Sequence, residues 1–258
     1  MGGTTGGKGA KATIVVPARL ASTRLPGKVL LAQSGRPMVQ HVVDTAGQAL
    51  CAAAVVVATD SEIVEAALKP YRTRVVLTRI DHPNGTSRLA EAAGLLGLTG
   101  DDLIVNAQGD EPEMPPEVID AAVAALVETP AASVGTACCA FGAGEDPLNP
   151  NIVKVVRRAD GCALYFSRSC IPLDRDAKGG PDAEPLRHVG VYVYRASFLQ
   201  RYAAMESTPL ERAESLEQLR VLEHGFSIAV ARCDAAKGMT GIDTREQYDE
   251  FVRRWRAK

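Results

Sequence analysis

Three basic residues, Arg19, Arg24 and Lys28, lie within ten residues of one another, and no carboxylate lies between them. They follow residues 12–16, an apolar run that ends at Pro17 and predicts a buried strand. Ligands of open α/β sheets bind outside the carboxyl ends of the strands, and several cations on one such loop suit a triphosphate. The alternative is a solvated basic loop without a ligand.

Two carboxylates, Asp110 and Glu111, follow a second apolar run at residues 103–107. A pair of acids just beyond a buried strand is well placed to hold a divalent cation. Magnesium needs only one or two protein carboxylates when substrate phosphates supply its other ligands. The alternative is a turn into a helix with solvated acids.

The first residues imitate a phosphate-binding loop without its context. Residues 2–9 nearly match the P-loop spacing, but Gly9 stands where the magnesium-binding Ser or Thr belongs, and no strand precedes them. We therefore expect residues 1–11 to be a disordered tail and residues 12–258 to form a single domain.

Strands and helices alternate through the first half of the chain. The predicted strands are at residues 12–16, 54–58, 75–78 and 103–107. One predicted helix begins at Pro37, and the others are at residues 61–69, 85–96 and 117–127. Apolar strands alternating with helices indicate an α/β fold, with a mostly parallel, Rossmann-like central sheet flanked by helices.

The second half contains more strands. We predict strands at residues 133–140, 153–157, 163–166 and 188–194. We predict helices at residues 211–223 and 244–255. This pattern indicates a smaller, antiparallel, strand-rich lobe at about residues 130–210 within the same domain.

The charge and cysteine pattern indicate which partners and which compartment to expect. The net charge of −2 gives no overall field that would attract nucleic acid or an anionic membrane. None of the six cysteines forms a CxxC pair, and no apolar run approaches the roughly 18 residues that span a bilayer. We expect a cytoplasmic protein with reduced cysteines, no nucleic-acid partner and no membrane insertion.

A series of motifs carries a resemblance to a known family. The motifs are PARLASTRLPGK, ATDSE, HPNGTSR, NAQGDEP, NIVKVV, ALYFSRSCIP, RHVGVYVYR, ESLEQLR and GIDT. In this order, from about residue 12 to 257, the chain resembles the 3-deoxy-manno-octulosonate cytidylyltransferases, or CMP-Kdo synthetases. STRLPGK and QGDEP recur among cytidylyltransferases for acidic sugars, whereas FSR, RHVGVY and SLEQLR point to Kdo.

The resemblance implies a reaction and its participants. It implies transfer of CMP from CTP to the anomeric hydroxyl of Kdo, giving CMP-Kdo and pyrophosphate for lipopolysaccharide precursor synthesis. It also implies a magnesium-dependent nucleotidyltransferase that forms a homodimer, with the strand-rich lobe binding sugar and supplying the dimer surface.

The resemblance also implies roles for particular residues. The catalytic residues would be Arg19, Lys28 and Asp110, and the metal ligands would be Asp110 and Asp243. The nucleotide would contact Arg19, Ser22, Arg24, Lys28, Arg88 and Gln108. The sugar would be surrounded by Arg168, His188, Tyr192, Glu217 and Gln218.

The chain departs from the family pattern in two places. Ser87 stands beside Arg88 where the family commonly has an acidic residue, and Asn84 begins that segment. The segment before Asp243 lacks the Pro-Gly-Thr turn of the family.

Three other functions share some of these features. They are a cytidylyltransferase for another acidic sugar (8-amino-Kdo or a sialic acid), a non-catalytic nucleotide-binding module, and a nucleotidyltransferase for sugar 1-phosphates. The last usually has a glycine-rich loop after its first strand, whereas only Gly27 follows the strand closely here.

Overall fold

A mixed nine-stranded sheet forms the centre of the fold. The computed structural model describes residues 9–22, 24–82, 84–176, 178–180 and 183–257. The strands are β1 Ala12–Pro17, β2 Ala52–Thr59, β3 Arg74–Leu77, β4 Leu103–Asn106, β5 Ala132–Ala140, β6 Lys154–Arg157, β7 Ala163–Ser167, β8 Leu186–Arg195 and β9 Ser227–Arg232. Most of the predicted tail, residues 1–8, lies outside the described residues.

The strand order is β3-β2-β1-β4-β8-β5-β9, and the β6–β7 pair joins the side of β8. Strands β1 to β4 are parallel to one another, and β8 is antiparallel to both β4 and β5. Since β9 is parallel to β5, β8 alone on this path runs against the others. The prediction of a mostly parallel sheet with antiparallel additions is confirmed.

Helices cover both faces of the sheet. They are α1 Met38–Ala46, α2 Glu62–Leu68, α3 Gly85–Leu95, α4 Pro116–Glu128, α5 Ala196–Ala203, α6 Pro209–Glu214, α7 Gln218–Glu223 and α8 Arg245–Arg256. Alternation along β1 sends Ile14 and Val16 into the core under α1 and α4, and Val15 into the core under α3 and α5. No described helix has both the length and the apolar composition needed to cross a bilayer.

The second half departs from the prediction in several places. The single helix predicted at residues 211–223 is two helices, because Ser215 adopts φ of 51° and ends α6. The structure also contains α5 and β9, which were not predicted, although the alternating run Ser227–Arg232 carries a strand signal. Between Gly27 and Pro37 the chain forms a 3₁₀ turn at Lys28–Leu30.

Candidate active site

Two loops meet at the carboxyl ends of β1 and β4. A Cβ atom at Gly109 would lie 2.6 Å from the carbonyl oxygen of Pro17, so only glycine allows this approach. The contact places the basic loop after β1 against the acidic loop after β4. Between them lies a cleft of about 400 Å³, called here the loop cleft, lined among others by Arg19, Ser22, Arg24, Lys28, Gln108, Gly109, Asp110 and Asp243.

The ammonium of Lys28 is the centre of this cleft. Its Nζ lies 2.7 Å from Asp110 Oδ2, 2.9 Å from Asp243 Oδ1 and 3.0 Å from the Ile242 carbonyl oxygen. Burial lowers the pKa of Lys28, but Asp110 and Asp243 outweigh that effect and leave the pKa raised. The structure therefore brings together one cation and two acids that span 215 positions of sequence.

Asp243 is held in place by the start of α8. The N-cap of this helix is Thr244, whose side chain accepts a hydrogen bond from Gln247 N. The Gln247 Oε1 atom accepts in turn from the backbone N–H of Asp243 at 2.7 Å. The Asp243 carboxylate is thus not used as a cap, and it also pairs with the exposed Arg24 at 2.9 Å.

A second cleft of about 530 Å³ adjoins the loop cleft through Arg19 and contains Asp60 and Arg88. Arg88 is wholly buried and donates to Thr78 Oγ1 and Asp60 Oδ2, each at 2.6 Å. Arg19 Nη2 is buried and has no hydrogen-bond partner among the described residues. The pKa of Arg19 is lowered, mainly by burial and next by the positive charge of Arg88. An unpartnered guanidinium nitrogen in a cleft is suited to an anionic ligand.

The substituted segment before α3 forms a neutral cap. Asn84 Oδ1 accepts from Ser87 N at 2.8 Å, and Ser87 Oγ donates to the Asn84 carbonyl at 3.0 Å. Asp60, which sequence reasoning did not select, supplies the carboxylate that pairs with Arg88. Its position directly after β2, inside the ATDSE motif, was the signal that could have identified it.

A cavity of about 430 Å³, called here the β8 cavity, lies beside the loop cleft, and Gly85 and Gln108 line both. Gln108 Nε2 donates to the Gly190 carbonyl at 3.1 Å, which holds its side chain on the boundary. Every residue predicted to surround the sugar lines this cavity: Arg168, His188, Tyr192, Glu217 and Gln218.

His188 is a neutral, buried wall of the β8 cavity. Its Nε2 lies 3.0 Å from Thr136 Oγ1, and the Thr136 hydroxyl donates to the Val191 carbonyl at 2.7 Å. We therefore assign the donating proton to His188 Nε2, which leaves Nδ1 as an acceptor. Burial, with a smaller effect from Arg187, lowers the pKa of His188 to about 3.

Two segments complete the wall opposite β8. Glu217 Oε2 accepts from Thr86 Oγ1 at 2.8 Å, which ties the start of α3 to the break between α6 and α7. Burial is the main cause that raises the pKa of Glu217. Arg168 donates from Nε to the Glu214 carbonyl at 2.6 Å and from Nη1 to the Pro150 carbonyl at 3.0 Å. Its guanidinium is therefore fixed by backbone oxygens at the edge of the cavity.

Glu111 is a further acid close to the loop cleft. Its Oε2 atom is buried and has no hydrogen-bond partner among the described residues. Burial, and then the neighbouring charge of Asp110, raises the pKa of Glu111 to about 8. The sequence placed this residue in a carboxylate pair but did not show that it turns inwards while Asp110 turns to Lys28.

Comparison with known proteins assigns a family to this arrangement. Residues 13–228 match the sequence profile of the cytidylyltransferase family. The chain is 50% identical to the 3-deoxy-manno-octulosonate cytidylyltransferase of Leptothrix cholodnii, over 94% of this chain and 90% of that protein. The protein of the same name from Halorhodospira halophila is 45% identical, over 94% of this chain and 96% of that protein. The chain belongs to the 3-deoxy-manno-octulosonate cytidylyltransferase family.

Solved structures agree with this family assignment. The structure of CMP:2-keto-3-deoxy-manno-octonic acid synthetase complexed with CTP matches with a TM-score of 0.87 at 39% identity, covering 96% of this chain and 99% of that chain. A cytidylyltransferase from Leptospira borgpetersenii matches with a TM-score of 0.60 at 19% identity, covering 94% and 85% of the two chains. The second match shows a shared fold.

In this member of the cytidylyltransferase family, the predicted site residues fall into three places. Arg19, Ser22, Arg24, Lys28, Asp110 and Asp243 line the loop cleft, with Gln108 on its boundary. The five residues predicted for the sugar line the β8 cavity. Arg88 lies in the adjoining cleft, where its Nη atoms are engaged by Asp60 and Thr78. Their roles toward substrates stay predictions.

Proposed function

We propose that the protein transfers CMP from CTP to the anomeric hydroxyl of Kdo, releasing pyrophosphate. The observation that carries the proposal is the boundary at Gln108 and Gly85, two residues that line both the loop cleft and the β8 cavity. A nucleotide phosphate in the first and a sugar in the second would meet at this boundary. Family membership supports the choice of both substrates.

The loop cleft supports the nucleotide half of the proposal. Arg19 offers a buried, unpartnered nitrogen, and Lys28 offers an ammonium whose present partners are the two acids and the Ile242 carbonyl. We propose that both cations bind the CTP phosphates and stabilise the charge that develops on the leaving pyrophosphate. Phosphoryl chemistry of this kind depends mainly on positioning and on electrostatic stabilisation.

Magnesium dependence is part of the proposal, and the donor set supports it. Asp110 Oδ2, Asp243 Oδ1 and the Ile242 carbonyl oxygen converge within 3.0 Å of one cationic atom. Hard oxygen donors of this kind fit magnesium, and two carboxylates suffice when phosphates complete the ligand set. When bound, the ion would supply Lewis-acid stabilisation of phosphate charge and acidify a coordinated hydroxyl. No larger cluster of acidic, His or Cys ligands occurs within the described ranges.

The β8 cavity supports the sugar half. It combines a guanidinium for an acid group with neutral polar groups for hydroxyls, including the His188 Nδ1 acceptor and the Gln218 amide. In the proposed reaction the anomeric hydroxyl releases its proton to solvent and its oxygen forms a bond to the α-phosphorus, while the bond from that phosphorus to the pyrophosphate oxygen breaks. Gln108, fixed by Gly190, would position the two substrates on either side of this bond.

The decisive experiment is a panel of acidic sugars with CTP and magnesium, followed by pyrophosphate release. Kdo is expected to give the highest kcat/KM, above 8-amino-Kdo and sialic acid, and activity is expected to vanish with a chelator and return with magnesium. Preference for another acidic sugar would reassign the substrate. Tight CTP binding without turnover on any of them would favour a non-catalytic module.

We further propose a cytoplasmic homodimer that serves lipopolysaccharide precursor synthesis. The free state of all six cysteines and the family assignment support this context. Light scattering coupled to size-exclusion chromatography tests the dimer, which should have twice the 27.3 kDa mass of the chain.

A further inference from the structure

Lys154 is a wholly buried cation at the start of β6. Its Nζ donates to the carbonyl oxygens of Asn149 at 3.1 Å and Ile152 at 2.7 Å, and to the carbonyl oxygen of Arg168. Three acceptors require three N–H groups, so the side chain is an ammonium rather than a neutral amine. All three of these partners are backbone carbonyls rather than carboxylates.

One of these three contacts holds the backbone carbonyl of Arg168, while Glu214 holds the backbone N–H of the same residue. Glu214 Oε2 accepts from the backbone N–H of Arg168 at 2.9 Å, and Glu214 Oε1 accepts from Ser167 Oγ at 2.7 Å. Arg168 and Lys154 also bind the same loop at residues 149–152. Lys154 donates to the carbonyls of Asn149 and Ile152, and Arg168 Nη1 donates to the Pro150 carbonyl between them. The ammonium therefore joins the segment at residues 149–152 to the residue that carries the cavity guanidinium.

A buried ammonium that hydrogen-bonds only to carbonyls is costly, and burial lowers the pKa of Lys154 although the charges of nearby acids, among them Glu214, oppose that shift. A methionine has nearly the same length and volume and would avoid that cost. The ammonium is thus poorly explained by packing alone, whereas its three directional contacts tie the backbone of Arg168 to the segment at residues 149–152.

We propose that Lys154 is a positioning residue that sets the Arg168 guanidinium at the wall of the β8 cavity for binding the carboxylate of an acidic sugar. This inference rests on the proposed function. Lys154 itself would not touch the sugar. Its loss should therefore affect sugar binding while leaving the nucleotide side and the chemical step nearly intact.

The test compares steady-state kinetics of the wild type, Lys154→Met and the control Lys11→Met. Lys11 is an exposed lysine whose ammonium donates to the backbone carbonyl of Leu50, far from the cavity. We expect Lys154→Met to raise the KM for Kdo about tenfold, with kcat within about threefold and the KM for CTP unchanged. Lys11→Met should match the wild type in all three.

A double-mutant cycle separates positioning from a general structural effect. In an Arg168→Ala background, adding Lys154→Met should change the KM for Kdo by less than about twofold, because the residue through which it acts is gone. A full additional increase in that background would overturn the proposal. So would a folded Lys154→Met protein with the wild-type KM for Kdo.

Thermal unfolding measures whether each variant is folded. The second variant is Lys154→Gln, which keeps two N–H donors and is expected to have a KM for Kdo between those of the wild type and Lys154→Met. If neither variant folds at 10 °C, Lys154 acts on the whole fold and the proposal is wrong. Failure of the proposed function gives a different result, since the wild type itself would then not turn over Kdo.

Discussion

At the scale of single residues, Lys28 occupies the point at which Asp110 and Asp243 converge. Under the proposed function, a divalent cation that used both carboxylates would compete with this ammonium, and the CTP phosphates would draw Lys28 away. The nucleotide-free protein should consequently bind divalent cations weakly, and CTP should strengthen that binding.

Replacing Lys28 tests this competition. Lys28→Met should raise the affinity of the nucleotide-free protein for Mn²⁺ on the order of tenfold, because the ion no longer has to displace a partly buried ammonium, a gain of about 1.4 kcal/mol. The same variant should lose turnover. Electron paramagnetic resonance of free Mn²⁺ measures the affinity, with Lys11→Met as control. An unchanged or weaker affinity would contradict a shared site for the ammonium and the metal.

Asp110 is the more central of the two acids, since its loop is fixed against β1. Asp110→Asn keeps the shape but removes the charge, and we expect kcat to fall on the order of a hundredfold, corresponding to about 3 kcal/mol. Pyrophosphate release at saturating magnesium is the measurement. Turnover of Asp110→Asn close to that of the wild type would refute the metal assignment. Asp243→Asn should also lower kcat.

Sequence reasoning at this scale identified residue types but not side-chain directions. The basic loop after β1 could be predicted from spacing alone, because a cation cluster at a strand end has few other uses. The expectation that Asp243 lies beside Asp110 came only from the family resemblance, since nothing local relates positions so far apart, and the contacts of both acids with Lys28 were not predicted. Asp60 was missed although it lies directly after β2, and the inward turn of Glu111 could not be predicted because packing decides it.

At the scale of elements, the close approach of the β1 and β4 loops depends on Gly109. Gly109→Ala would place a Cβ atom 2.6 Å from the Pro17 carbonyl, and both contacting groups belong to the backbone or are fixed to it. We expect a loss of about 1–3 kcal/mol in unfolding free energy from overpacking. Turnover should fall further, on the order of a hundredfold, because displacement of Asp110 by about 1 Å misaligns the site.

The matched control is Gly94→Ala in α3, where an added Cβ meets nothing within 4 Å. This substitution should stabilise the protein by about 0.5–1 kcal/mol, because alanine is the better helix former. Urea unfolding and pyrophosphate release are measured for both variants. Equal effects of the two substitutions would show that the loop contact does not position the site.

Elements with a strong period were predictable, and those defined by a backbone change were not. The first four strands and α1 to α4 follow from apolar runs and amphipathic spacing, which packing then reinforces. The break between α6 and α7 depends on a single left-handed serine, Ser215, in a sequence that otherwise favours one helix. That break matters for function, because it places Glu217 beside Thr86 at the cavity wall.

At the scale of the whole molecule, stability and the β8 cavity are linked through His188. The native pKa of His188 is about 3, whereas an unfolded chain has the ordinary value of about 6.5. Between these values the unfolded chain binds a proton that the native state does not. This contribution to stability is therefore fully present above pH 6.5 and is lost as pH falls towards 3.

His188→Gln removes this proton uptake while keeping an amide that can donate to Thr136. From pH 7 to pH 5 the wild type should lose about 2 kcal/mol more unfolding free energy than the variant. Urea unfolding at the two pH values measures the difference, and the exposed His224→Gln controls for loss of a histidine from the surface. An equal loss in wild type and His188→Gln would mean that His188 takes up a proton in the folded protein. The cavity would then carry a positive charge beside Tyr192 at acidic pH, and sugar binding would be expected to strengthen there rather than follow Arg168 alone.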